Sequence, residues 1–300
     1  MTGLTAPGRH GAELGGMPRS LLGTLLLLAL ACGGSDSSGP RPTSPPGALD
    51  PDVPPVTGGS WYQPALTVDW QWQLTGTPNL GYAAELYDLD LFETAPATVT
   101  ALHGAGRSLV CYFSAGSYED WRPDTARFLP TDLGGNVPGW PGERWLDIRS
   151  ANVQAIMLAR LDTAVARGCD GVEPDWLHNY QSGTGFAITA TDQRAYNRWL
   201  ANAAHTRGLA IALKNDLDQV AEMVDYFDLA VNEQCHQYDE CGGYAPFVAA
   251  GKPVLNAEYR SRWATNAAAR DSLCTAAAGE QLRTLVLPVN LDDAYRYACP

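Results

Sequence analysis

The sequence predicts a single α/β domain, a (β/α)8 barrel, set behind an N-terminal leader and a flexible tether. Three observations carry this. Short apolar runs alternate with helical stretches from Ser60 to Pro300, a span that fits one α/β barrel of about 250 residues. Most of the runs show little alternation, as parallel strands buried on both faces should. Polar residues repeatedly arrive where an apolar run stops, which in this fold is the active end.

The chain opens with Arg9 and Arg19, an apolar run from Leu21 to Leu30, and Ala31-Cys32-Gly33-Gly34. Positive flank, short apolar run and small residue before the cut describe a secretory signal over residues 1–31. The run is too short for a membrane helix, which needs roughly 20 apolar residues. Cys32 directly after the small residue looks like a lipoprotein attachment site, although Ala29 stands where that pattern prefers Leu. Lipidation at Cys32 is the expectation, and plain cleavage is the alternative. Residues 32–59 are Gly, Ser, Pro, Asp and Thr with almost no large apolar side chain. Such a stretch is expected to be a tether.

Eight strands are expected: Val68–Leu74, Leu86–Phe92, Ser108–Ala115, Gly171–Asp175, Leu209–Asn215, Phe227–Asn232, Pro253–Tyr259 and Thr284–Val289. Helices are expected between them, among them Val153–Arg167, Asp192–Arg207 and Gln219–Tyr226, with Gly168 and Gly208 stopping the first two. The full chain carries a net charge of −13. The leader's Arg9, Arg19 and Glu13 sum to +1, so the exported chain is near −14. No basic patch invites nucleic acid, and an acidic surface suits a cationic partner or simply solubility.

Six cysteines follow Cys32, an even number that suits disulfides in an exported domain. Cys235 and Cys241 flank a short loop and are the first expected pair. Cys274 and Cys299 could tie the last helix to the C-terminus. Cys111, inside an apolar strand, suits a buried free thiol. No CxxC pair suggests zinc, and neither a metal nor a cofactor is expected.

The strand ends are rich in chemistry. Strand one offers Asp69, Trp70, Gln71 and Trp72; strand two Asp88 and Asp90; strand three Tyr112, Ser114 and Ser117. Strand four offers Glu173 and Asp175, strand five Lys214-Asn215-Asp216, strand six Asn232-Glu233-Gln234 and strand seven Glu258-Tyr259. Any one of these could be a cap or surface charge; seven ends in succession point to a site. Cleaving an acetal needs one carboxyl to deliver a proton and another to meet the developing positive charge. Asp175, facing Lys214 if strands four and five are neighbours, is the candidate nucleophile. Glu233 is the candidate acid/base, with Glu258 as a nearby carboxylate to raise it. Glu173 shares the strand face of Asp175 one layer deeper and is expected to orient Lys214 or a sugar hydroxyl.

Five ordered motifs add a resemblance: Cys111-Tyr-Phe-Ser-Ala-Gly-Ser-Tyr-Glu119, Trp145-Leu-Asp-Ile-Arg149, Gly171-Val-Glu-Pro-Asp175, Leu213-Lys-Asn-Asp216 and Val231-Asn-Glu-Gln-Cys235. From about Val68 to Tyr259 the chain resembles glycoside hydrolase family 114. The resemblance implies a (β/α)8 barrel, an endo-α-1,4-polygalactosaminidase activity, and a catalytic pair on Asp175 and Glu233. Members often carry Asn after the Asp, where this chain has Trp176 and continues Leu177-His178-Asn179. That change bears on subsite shape.

Trp70, Trp72, Tyr112, Tyr118, Trp176 and Tyr259 are expected to offer stacking faces to sugar rings, with cation–π attraction for a protonated amino sugar. Trp121, Trp140, Trp145 and Trp199 read as packing residues. The acidic ends Asp88, Asp90 and Asp216 would suit a cationic polysaccharide. The reading is an exported endo-glycosidase, a monomer that meets polysaccharide and touches membrane only through a lipid. A non-catalytic carbohydrate-binding barrel, or a hydrolase of another cell-wall sugar, stays open beside it.

Overall fold

The computed structural model describes residues 49–300, so the leader, Cys32 and most of the tether lie outside the described residues. Eight parallel strands line a curled wall: β1 (Trp70–Gln73), β2 (Leu86–Asp90) and β3 (Ser108–Ser114), then β7 (Gly171–Asp175), β8 (Ala210–Lys214), β9 (Leu229–Glu233), β10 (Val254–Glu258) and β11 (Arg283–Val286). They follow the expected strands to within a few residues at each end. Between β3 and β7 the chain inserts a three-stranded antiparallel sheet, β4 (Ser117–Glu119), β5 (Leu133–Asn136) and β6 (Glu143–Leu146). A two-residue strand β12 (Tyr297–Ala298) runs antiparallel along β11.

The wall does not close by a backbone ladder from β11 to β1, because β12 occupies that edge of β11. Two backbone bonds, from the Leu74 and Thr75 N–H groups to the Leu291 carbonyl, and several side chains close it instead. The Trp70 indole donates to the Arg283 carbonyl at 2.8 Å, Arg283 Nε donates to the Val68 carbonyl at 3.0 Å, and Arg296 donates to the Trp70 carbonyl at 2.7 Å. A disulfide from Cys274 to Cys299 fastens β12 to the last helix, and Cys235 bonds Cys241, both as expected.

Cys111 is not a free thiol. It is bonded to Cys169, 58 residues away. β3 and β7 are neighbours, Cys111 sits opposite Val172, and Cys169 enters β7 just below it. Only the strand order brings the two together, and nothing local announces it.

Alternation sorts the side chains into two cores. Tyr87, Leu89, Leu109, Phe113, Val172, Ile211 and Leu213 face the helices. Trp70, Trp72, Leu86, Val110, Ala212, Leu229, Val231, Leu255 and Leu285 fill the barrel. The helices begin where side chains can cap them. The Ser150 hydroxyl accepts from the Asn152 and Val153 N–H groups to start Ala151–Arg167, and Gly168, at φ 82°, ends it. Thr189 and Asp192 form a reciprocal cap on Ala190–His205.

The expected tether meets the barrel before residue 59. The Pro51 carbonyl accepts from Arg198, the Pro54 carbonyl from Asn202 and the Val53 carbonyl from Tyr226. The Val56 N–H donates to Asn202. The helix Ala190–His205, through Arg198 and Asn202, and Tyr226 beyond it thus supply the backbone partners that the segment cannot supply itself.

Candidate active site

Lys214 is the hub. Its Nζ lies 3.2 Å from Glu173 Oε1, 3.2 Å from Asp175 Oδ1 and 3.3 Å from Glu233 Oε2, and its side chain is 2% exposed. The Trp72 ring lies 4.8 Å from the ammonium. Burial alone would strip the proton from Lys214, but Asp175, Glu173 and Glu233 outweigh it and hold the group well above the ordinary lysine range.

The two catalytic candidates are matched in partners. Asp175 meets Lys214, the Tyr112 hydroxyl at 3.1 Å and the Trp176 N–H at 2.8 Å. Glu233 meets Lys214, the Asn215 amide at 3.2 Å and the Tyr259 hydroxyl at 2.7 Å. They differ in access, with side chains 17% and 31% exposed respectively. Both touch one nitrogen, so their nearest oxygens lie no farther apart than the two contacts together, about 6.5 Å.

The backbone explains how three strand ends meet at one point. Pairing between β7 and β8 stops at Val172 opposite Ile211, below Asp175 and Lys214. Pro174 has no N–H to extend a ladder. The strands part there, and the Lys214 ammonium bridges them. Each of the three strands is followed by a left-handed residue: Trp176 at φ 61°, Asn215 at φ 53° and Gln234 at φ 67°. A left-handed tryptophan is an outlier, and such strain gathers at functional sites. Gly116 makes it possible, since a Cβ there would fall 2.2 Å from the Trp176 carbonyl oxygen. Trp145, expected only to pack, meets the Trp176 ring edge-on at 4.6 Å and fixes its attitude.

The structure scatters other expected site residues. Trp70 sits at the start of β1, paired with Leu86 and buried at the closed end. It belongs to the core. Glu258 alternates with Ala257 and Tyr259, so its carboxyl turns to the helix side, where the His236 N–H and the Asn256 amide bond it. Burial raises it to about 7 against those bonds, which pull it down. Asn232 faces the same way and bonds Tyr244. Asp90 is clamped at 2.7 Å by Arg122, in the turn that follows β4. Ser114 is buried against Ser117. Asp216, pushed to about 7 by burial, joins Tyr180 and Asn197. The Gln234 amide bonds Gln237. These residues brace the mouth; Asp175, Glu233, Lys214, Glu173, Tyr112, Trp176, Asn215 and Tyr259 compose it.

Sequence reading missed Glu143. It sits on β6 directly opposite Glu119, accepts from the Ser117 hydroxyl at 2.7 Å, and is pushed to about 8, first by burial and then by Glu119 and Asp175. His178 was also passed over; burial lowers it below the ordinary histidine range beside Asp175. The signal for Glu143 was the long stretch between the third and fourth expected strands, which is too long for a plain loop. Trp121 and Trp140, read as packing residues, are 43% and 51% exposed on that insertion.

Paired carboxyls across one ammonium, at the carboxyl end of a parallel barrel, are the equipment of a glycoside hydrolase. The chain belongs to glycoside-hydrolase family GH114, whose sequence model matches residues 52–299. A crystal structure of Aspergillus fumigatus Ega3 in complex with galactosamine is 41% identical, with a TM-score of 0.76, covering 81% of this chain and 99% of that one. The glycoside hydrolase domain of PelA from Pseudomonas aeruginosa shares the fold at 17% identity and a TM-score of 0.60, covering 75% of this chain and 96% of that one. An uncharacterised protein of Deinococcus radiodurans is 28% identical, covering 81% of this chain and 89% of its own length.

Proposed function

We propose that this chain is an exported endo-acting hydrolase of α-1,4-linked, galactosamine-containing polysaccharide that works with retention of configuration. Asp175 is the nucleophile and Glu233 the acid/base. The observation that carries the reading is the shared contact of both carboxyls with Lys214 Nζ. It keeps their nearest oxygens within about 6.5 Å, which supports the separation of about 5–5.5 Å of retaining enzymes over the roughly 6.5–9.5 Å of inverting ones. The galactosamine bound to the 41% identical Ega3 supports the amino-sugar class.

Glu233 delivers a proton to the leaving oxygen while Asp175 attacks the anomeric carbon. Water then cleaves the glycosyl-enzyme, with Glu233 acting as base. The greater exposure of Glu233 suits its exchange of protons with that water. The Lys214 ammonium and the Tyr112 hydroxyl hold Asp175 in line, and the Tyr259 hydroxyl aims Glu233. Three disulfides support an oxidising compartment. The lipid anchor at Cys32 and a monomeric state are part of the same proposal.

Purified protein should release reducing ends from a galactosamine-rich polymer. Asp175→Asn and Glu233→Gln should each fold and lose roughly 10²–10⁴-fold in turnover. NMR of the first-formed sugar should show the α anomer; a β anomer would refute retention. A wild type without hydrolysis would leave a carbohydrate-binding barrel.

A further inference from the structure

Beneath the catalytic pair lies a second carboxyl pair that the reaction does not use. Asp88, from the middle of β2, and Glu173, from β7, are both fully buried inside the barrel. Neither Asp88 oxygen accepts a bond from any N–H or O–H donor of the described residues. Its carboxyl instead lies within hydrogen-bond reach of Glu173, whose own cationic contact is Lys214. Two ionised carboxylates cannot rest against each other without water, and a neutral acid has one O–H to give the other.

The charge balance makes the same demand. One ammonium faces Asp88, Glu173, Asp175 and Glu233. The buried Arg122 guanidinium is committed to Asp90 and Glu119. A buried cluster with several uncompensated charges is not stable. Asp175 from β7 and Lys214 from β8 are the charged neighbours of this pair, the Tyr259 hydroxyl after β10 also meets the Glu173 charge, and β1 and β3 turn Trp70, Trp72, Val110 and Tyr112 inward, none of them basic.

Resting on the assignment of Asp175 and Glu233, we propose that Asp88 is a positioning residue that shares one proton with Glu173, leaving the Lys214 ammonium free to hold the catalytic carboxyls. Burial and then the Glu173 charge push Asp88 well above the usual carboxylate range, so the proton resides mainly there. Loss of that proton at alkaline pH sets two anions against each other and strengthens the existing pull of Glu173 on Lys214 at the expense of Asp175 and Glu233. Turnover then falls without a change in substrate contacts.

Asp88→Asn and Asp88→Leu test this against a purely structural role. The Asn amide can donate to Glu173 but cannot ionise; Leu can do neither. Asp88→Asn should keep kcat within about tenfold at pH 5–6 and move the alkaline limb of the pH–rate profile upward. Asp88→Leu should lose roughly 10–100-fold in kcat with KM little changed, the scale of a misplacement of about 1 Å. The infrared difference between wild type and Asp88→Asn at neutral pH should show one protonated carboxyl band lost. An unchanged band, an unmoved alkaline limb, or an Asn variant as impaired as Leu would overturn the shared proton. The infrared measurement needs no substrate, so a wild type inactive on galactosamine polymers would sink the glycosidase reading while the band still decides the pair.

Discussion

Two sectors of one wall are held together in opposite ways. From β7 to β9 the strand ends are knit by charge: three carboxylates on one ammonium, left-handed residues after each strand, and a ladder that stops short of the mouth. At the seam, from β11 through β12 to β1, there is little buried charge. Arginine side chains reach backbone carbonyls and, through Arg283, the exposed Asp69, and a disulfide pins the last strand. Strain and desolvated charge are tolerated where they position reacting groups. Where only closure is needed, backbone acceptors, one solvent-exposed ion pair and a covalent link suffice. Damage to the first sector should therefore appear in activity and stability together, and damage to the second in stability alone.

The largest effect should come from Lys214→Met. It removes the cation from a cluster of buried carboxyls, so it should cost ~3–5 kcal/mol of stability and at least 10²-fold in kcat. Denaturant unfolding and reducing-end kinetics would check both. A stable, active variant would show that hydrogen bonds alone hold the mouth.

Opening the seam is the second test. Cys274→Ser combined with Cys299→Ser frees a closure of 25 residues, worth about 3.5 kcal/mol and a Tm shift of roughly 7–14 °C at this domain size. Turnover of the folded fraction should stay within about twofold of wild type, since the covalent link acts mainly on the unfolded chain. A loss in kcat matching that of Lys214→Met would erase the contrast between the sectors.

The smallest effect concerns pH and Glu143. Its folded carboxyl is raised to about 8, against roughly 4.3 when unfolded. Between those values the folded state holds a proton that the unfolded state has released. Stability contributed by this group is therefore greatest at low pH and declines as pH rises through that window. Glu143→Gln should remove the decline, raising Tm at pH 8 by roughly 2–4 °C, equal to about 1 kcal/mol, with no gain at pH 5. Differential scanning calorimetry at the two pH values reads it directly. An equal gain at both would mean the proton is not what matters.

Much of this was legible in the chain. Each barrel strand is a short apolar run with a polar end, so its position and its chemical cargo are written locally; Gly171–Asp175 matches to the residue. Gly168 marks the end of a helix for the same reason, whereas the cap at Ser150 that starts it two residues ahead of the expected Val153 emerged only in the structure. Asp175, Glu233 and Lys214 could be picked because an acidic or basic strand end is unusual in an apolar context. Strand alternation, the order of neighbours and the splay between β7 and β8 belong to the assembled wall. They turned Glu258 outward, buried Trp70 at the closed end, brought Cys111 to Cys169 and set Asp88 against Glu173. A sequence fixes which groups a strand can deliver. The curvature of the sheet fixes which of them face one another, because contacts made across the barrel depend on how its strands tilt and stagger.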